Sequence, residues 1–240
     1  MSARCVLITG AGRGLGYALS RIFLIRGWRV FPVVRKASAI PAFLAEHQKR
    51  CCPVVADVAK DEAVSAITTA LSRGTNSLDV LINNAGILGW TSRIDDVTPK
   101  ELLALIDIHC VGALRCTKAA FPYLRAADNP IVVNITSRYG SVSRNASGDF
   151  RNKDGQVMYS YRIAKAAQNM LTLCLSQELD AYGIRVCAVH PGRLKTACGP
   201  SDADTEPSEA AHKLFEWIVN ADRGVNGCCF DLSSGGKMQW

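Results

Sequence analysis

Short apolar runs alternate with longer amphipathic stretches along all 240 residues. Cys5-Val6-Leu7-Ile8 is an unbroken apolar run, the pattern of a strand buried on both faces of a parallel sheet. Leu15, Leu19, Ile22 and Phe23 then recur at helical spacing until Gly27 stops them. The alternation repeats. Strands are predicted at 28–34, 52–56, 78–82, 131–135, 184–189 and 228–232, and helices at 41–50, 61–73, 99–124, 157–181 and 208–220. Pro41 and Pro99 start two of the helices and Gly183 ends the fourth. Pro32 has no N–H for a sheet ladder, so it is expected beside a bulge or where that N–H would meet no neighbour. Residues 141–156 and 199–207 are polar and aperiodic, and read as loops. Strands alternating with helices predict an α/β fold, a single-domain doubly wound parallel sheet of about seven strands over 1–240. No linker or repeat divides the chain.

Composition narrows the function classes. A hydrophobic share of 48% and a charged share of 20% are ordinary for a soluble globule. The net charge of +7 is spread without a Lys/Arg-rich run, which argues against nucleic acid. Ten scattered cysteines without a Cys-x-x-Cys pair, and four dispersed histidines, argue against a metal site. Reduced core thiols, and an opening strand that leads straight into a glycine loop, point to the cytoplasm. No apolar run approaches the ~18 residues of a membrane span.

The glycine loop is Thr9-Gly10-Ala11-Gly12-Arg13-Gly14-Leu15-Gly16, between a strand and a helix. Glycines let backbone approach an anion, and the helix start offers free N–H groups, so this is a candidate phosphate site. A fold that binds unphosphorylated ribose usually ends its second strand in Asp or Glu. Here Val34 is followed by Arg35 and Lys36, with Arg13 a further cation in the loop. A 2′-phosphate would find a guanidinium, which favours NADP(H) and leaves NAD(H) possible. A solvated turn residue is the plainer reading of Arg35. Ligands in such sheets sit beyond the carboxyl ends of the strands. Gly10, Asp57, Asn83, Ser137 and His190 all fall there, and the first four are expected in one cleft with Tyr161.

Tyr161 and Lys165 share a helix face, and no other tyrosine has lysine at that spacing. Tyrosine ionises near pH 10, too high for efficient proton exchange at neutrality. Lowering this by about two to three pH units takes roughly 3–4 kcal/mol. A lysine ~4.5 Å away at an effective dielectric of ~20 supplies about that. An inert surface pair is the alternative. Ser137 ends the fifth strand, where its hydroxyl would reach the same substrate oxygen or merely cap a turn.

Over essentially the whole chain these motifs resemble the short-chain dehydrogenase/reductase family, with its Rossmann-type sheet. Thr9, Gly10, Gly14 and Gly16 match its glycine motif, and Asn83-Asn84-Ala85-Gly86 its Asn-Asn-Ala-Gly. Ser137, Tyr161 and Lys165 match the catalytic residues. Pro191-Gly192 with Thr196 matches the segment that touches the nicotinamide carboxamide, and Asp57, with Val58 beside it, the acid facing adenine. Residues 159–170 and the end of the chain are similar to C-factor-like and sniffer-like carbonyl reductases. The resemblance implies hydride transfer between a nicotinamide and a small carbonyl or alcohol. Tyr161 would be the proton donor, Lys165 would bind the ribose, and Ser137 would orient the carbonyl. It also implies a homodimer or homotetramer.

Two departures stand out. His109 occupies the place of an Asn that completes the family's water relay to the lysine. It reads either as a modified relay or as packing at a kink. The 24 positions from Ser137 to Tyr161 exceed the spacing in many relatives. The extra residues, about 144–155, carry Arg144, Arg151 and Lys153 against Asp149 and Asp154, and are expected over the substrate mouth. A nucleotide-binding regulatory protein of the same fold is the alternative to an enzyme. An epimerase or dehydratase would be marked by no net cofactor turnover.

Overall fold

The computed structural model describes residues 3–89, 91–150, 157–196 and 202–240. β1 (Cys5–Thr9) runs through the middle of one eight-stranded sheet of order β3-β2-β1-β4-β5-β6-β7-β8. The other strands are β2 (Arg29–Val34), β3 (Val54–Val55), β4 (Val80–Asn83), β5 (Ile131–Ile135), β6 (Arg185–His190), β7 (Cys229–Asp231) and β8 (Gly236–Met238). All pair in parallel except β8, which turns back antiparallel on β7. That eighth strand goes beyond the seven expected from sequence.

Both faces are covered, as the apolar strands require. Val6 and Ile8 of β1 pack on one side with α1 (Gly14–Ile25) and α8 (Pro207–Asn220). Cys5 and Leu7 pack on the other with α3 (Glu62–Gly74), α5 (Gly112–Leu124) and α7 (Tyr159–Leu179). Successive residues serve opposite layers, so a slip of one residue would exchange the two cores. The short α2 (Ala42–Glu46) adds Leu44 to the first layer.

Pro32 lies on the β3 side of β2. Val30 N donates to Arg50 O, and Val34 O accepts from Ala56 N, so the even positions face β3. Pairing there breaks into a bridge at Val30–Cys51 and the two residues of β3. The missing donor falls in that gap.

The helix predicted over 99–124 is three pieces. α4 (Pro99–Ile106), capped by Thr98, gives way to a π turn at Asp107–Val111 before α5. A π turn inserts one residue per turn and re-aims what it carries, here His109. The stretch read as a loop from 141 contains α6 (Val142–Ala146), capped by Ser141. Residues 151–156 and 197–201, which include Arg151, Lys153 and Asp154, lie outside the described residues.

Candidate active site

A cavity of about 1320 Å³ opens along the carboxyl ends of the central strands. At one end stand Arg13, Arg35, Lys36, Asp57 and Val58; at the other Ser137, Tyr161, Lys165 and His190. Gly10, Gly14, Leu15, Asn84, Ala85, Gly86, Pro191, Gly192 and Thr196 join them.

The glycine loop is built for close approach. Gly10 has φ +68°, and a Cβ there would lie 2.9 Å from Ala85 Cα. The turn is held from behind by Asn84, whose Nδ2 donates to Thr9 O at 2.9 Å. Thr9 Oγ1 accepts from the N–H groups of Asn84 and Ala85. Arg13, extended at the start of α1, makes no side-chain cap, so no N-cap side chain competes for the first N–H groups of that helix. Gly16 does not line the cavity. A Cβ on it would meet Gly10 O at 2.4 Å, so this glycine lets helix and turn touch. Thr196 reaches across from the far wall, 3.4 Å from where a Gly14 Cβ would sit.

Strand ends deliver the reacting groups. Ser137 Oγ accepts from Tyr139 N at 3.2 Å, which leaves its own proton to donate. Tyr161 and Lys165 lie on the first turns of α7, with Lys165 Nζ 5.9 Å from the Tyr161 ring centre. Lys165 is buried; its ammonium donates to Ile135 O at 2.7 Å and Gln168 Oε1 at 2.9 Å. Burial still pulls its pKa down to about 7, because loss of water outweighs those two acceptors. Met158, just before α7, is left-handed at φ 52° and also lines the cavity, so backbone strain sits beside the chemistry.

His109 stands edge-on to Tyr161, with ring centres 5.7 Å apart. Its Nε2 lies 2.8 Å from Ile87 O, while Nδ1 is buried without a partner. Ile87 N lies 3.3 Å from the same Nε2, and the shorter contact, to the carbonyl, favours the Nε2–H tautomer. Burial, with Lys165 adding to it, pushes the imidazole down to about 3, so it stays neutral.

Asn83 does not enter the cleft expected from sequence. Its Nδ2 donates to Asn134 Oδ1 at 2.8 Å beneath the site. His190 takes a place in the wall instead. Sequence reasoning also missed Gln168, Arg138 and Met158. Only their burial and neighbours mark them, although Arg138 directly follows Ser137.

The residues fit a dinucleotide. Backbone N–H groups and cations stand at the glycine loop, and an apolar cradle at Ala85, Leu15 and Val34 lies between two polar ends. A family profile for short chain dehydrogenases matches residues 4–207. The chain belongs to the short-chain dehydrogenase/reductase family. This member is similar to 1-hydroxy-2-glutathionyl-2-methyl-3-butene dehydrogenase of Rhodococcus sp. (strain AD45), 32% identical over 240 residues, 98% of this chain and 99% of that one. The NADPH-bound carbonyl reductase from chicken fatty liver superposes with a TM-score of 0.88 at 27% identity, over 100% of both chains. Carbonyl reductase Sniffer of D. melanogaster gives 0.83, also at 27% identity and 100% of both. The sniffer-like resemblance is thereby borne out. The protein is an oxidoreductase of a family that uses a nicotinamide cofactor. No helix among the described residues is long and apolar enough to cross a membrane, and no group of them has the make-up of a metal site.

Proposed function

We propose that the protein transfers a hydride between NADP(H) and a carbonyl or secondary-alcohol carbon of a small molecule. The carrying observation is that Ser137, Tyr161 and Lys165 share one cavity with the glycine loop and Arg35. The nicotinamide, when bound, supplies or accepts the hydride. Tyr161 passes its phenolic proton to the carbonyl oxygen in reduction and takes it back in oxidation. Ser137 donates its free hydroxyl proton to that oxygen and orients it. Lys165, when charged, stabilises the tyrosinate left behind and offers its remaining N–H to the ribose. Arg35, Lys36 and Arg13 hold the 2′-phosphate.

His109 acts as a clamp in this reading. It ties the 86–87 loop to the π turn and backs the Tyr161 ring, and its low pKa supports no proton-carrying role near neutrality. Exposed Leu103, Ile163 and Met170 on the neighbouring α4 and α7 support a homodimer. Reduced thiols support a cytoplasmic setting.

The test is a fluorescence titration with NADPH and NADH, followed by NADPH oxidation at 340 nm against ketones, aldehydes and quinones. NADPH binds more tightly and is oxidised on at least one carbonyl. Binding without turnover on a broad panel would favour the regulatory alternative.

A further inference from the structure

Three guanidinium groups surround the Phe150 ring: Arg138 at 5.8 Å from its centre, Arg144 at 5.3 Å and Arg162 at 5.9 Å. Two of them are engaged. Arg144 Nε donates to Asp149 Oδ2 at 2.9 Å. Arg162 donates to Asn145 Oδ1 at 2.9 Å and Phe150 O at 3.0 Å. Arg138 has no such acceptor; among the described residues no carboxylate or carbonyl receives a hydrogen bond from it. It is half-buried, lines the cavity and adjoins Ser137 in sequence.

The surroundings offset only part of its charge: Asp202, which pairs with Arg193, also feels Arg138 but accepts no hydrogen bond from it. Two carboxylates line the cavity, Asp57 at the far end and Glu206, which pairs with Lys195 at 3.1 Å. Arg193, on the near wall, is paired with Asp202. His190, beside Ser137 in the wall, is kept neutral by burial, at about 4, with Arg138 among the charges that lower it. Among the described residues, the substrate end therefore offers in Arg138 a cavity-lining guanidinium with unused donors. Tyr139 forms an aromatic wall there, edge-on to Phe150 at 4.7 Å and to Tyr161 at 6.5 Å. Half-buried, unpaired guanidinium donors favour an oxyanion ligand, and their geometry suits a carboxylate.

We propose that the site takes carbonyl substrates carrying a carboxylate, and that Arg138 binds that carboxylate at the substrate end of the cavity. The proposal rests on the hydride-transfer reading and adds a substrate class to it. Arg144, the flap cation among the described residues, is already paired with Asp149.

The test uses a matched pair of probes, 4-formylbenzoate and its methyl ester, with NADPH. The acid is preferred in kcat/KM by about tenfold or more, as expected for a charge-assisted contact. Arg138→Gln removes most of that preference, mainly through KM. An ester reduced as well as the acid, or a variant that keeps the preference, overturns the proposal. A second arm does not need turnover: calorimetry of benzoate and methyl benzoate on the purified protein. Benzoate binds more tightly, and Arg138→Gln loses the difference; equal binding of the two by the wild type overturns the anchor. If neither aldehyde is reduced, hydride transfer fails on these probes while the binding arm still decides the anchor.

Discussion

Lys165 Nζ donates to Gln168 Oε1 at 2.9 Å, one turn further along the same helix, and both side chains are buried. The contact keeps a desolvated ammonium in place and offsets part of its burial cost. Gln168→Leu removes that acceptor, so the ammonium loses its proton at a pH below about 7. The charged lysine exists below its pKa, and the high-pH limb of kcat/KM for reduction should therefore move to lower pH. The expected shift is about one pH unit or more, since a hydrogen bond to a charge contributes roughly 1.5–3 kcal/mol. Gln168→Glu should move the limb the other way. An unmoved limb in both variants would deny Gln168 this positioning role.

Arg35 marks the end of the cavity where a 2′-phosphate would sit, with Lys36 beside it. Arg35→Ala should weaken NADPH about tenfold to a hundredfold, the range for losing a charge-assisted contact, and leave NADH nearly unchanged. Binding constants for the two cofactors decide it. Equal losses would mean that Arg35 does not read the phosphate.

Two buried imidazoles make the fold sensitive to acid. His109 is lowered to about 3 and His190 to about 4, both chiefly by burial, against 6.5 when unfolded. Between those values and 6.5 the unfolded chain binds more protons, so stability falls as pH falls through that window. Each histidine contributes at most about 1.4 kcal/mol per pH unit. Thermal melting from pH 7 to pH 4.5 should show a steep loss, shallower in His109→Asn. The same slope in both proteins would contradict the neutral buried imidazole.

Gly16 holds the first helix against the phosphate turn. A methyl group there meets Gly10 O at 2.4 Å and Asn84 Nδ2 at 2.5 Å. Gly16→Ala should cost about 1–3 kcal/mol of stability, as overpacking does, and loosen cofactor binding with it. Denaturant melts and a cofactor titration report the two effects. A variant as stable as wild type with full affinity would show that the turn adjusts freely.

Most of the sheet was legible because β1, β2, β4, β5 and β6 are predominantly apolar runs. β5, at Ile131–Ile135, lies where its run predicts. β3 shrank to two residues because the ladder fails between Pro32 and Pro53, and β8 is three residues long, too short for periodicity to register. The π turn at His109 was hidden because apolar spacing continues across it; only hydrogen-bond register distinguishes the two helix types. Tyr161 and Lys165 announced themselves by spacing. Gln168 and Arg138 did not, because their meaning depends on what is buried beside them. Asn83 misled for the same reason: it ends a strand, yet its amide turns sideways to Asn134.

The central claim is proton transfer by Tyr161 coupled to hydride transfer from NADPH. Its most direct test follows NADPH oxidation at 340 nm by the wild type and Tyr161→Phe on a carbonyl the wild type reduces, with NADPH affinity measured on both. The account predicts a loss of at least about a hundredfold in kcat, the lower range for removing a general acid, at unchanged cofactor affinity. A phenylalanine variant that turns over near the wild-type rate would contradict it.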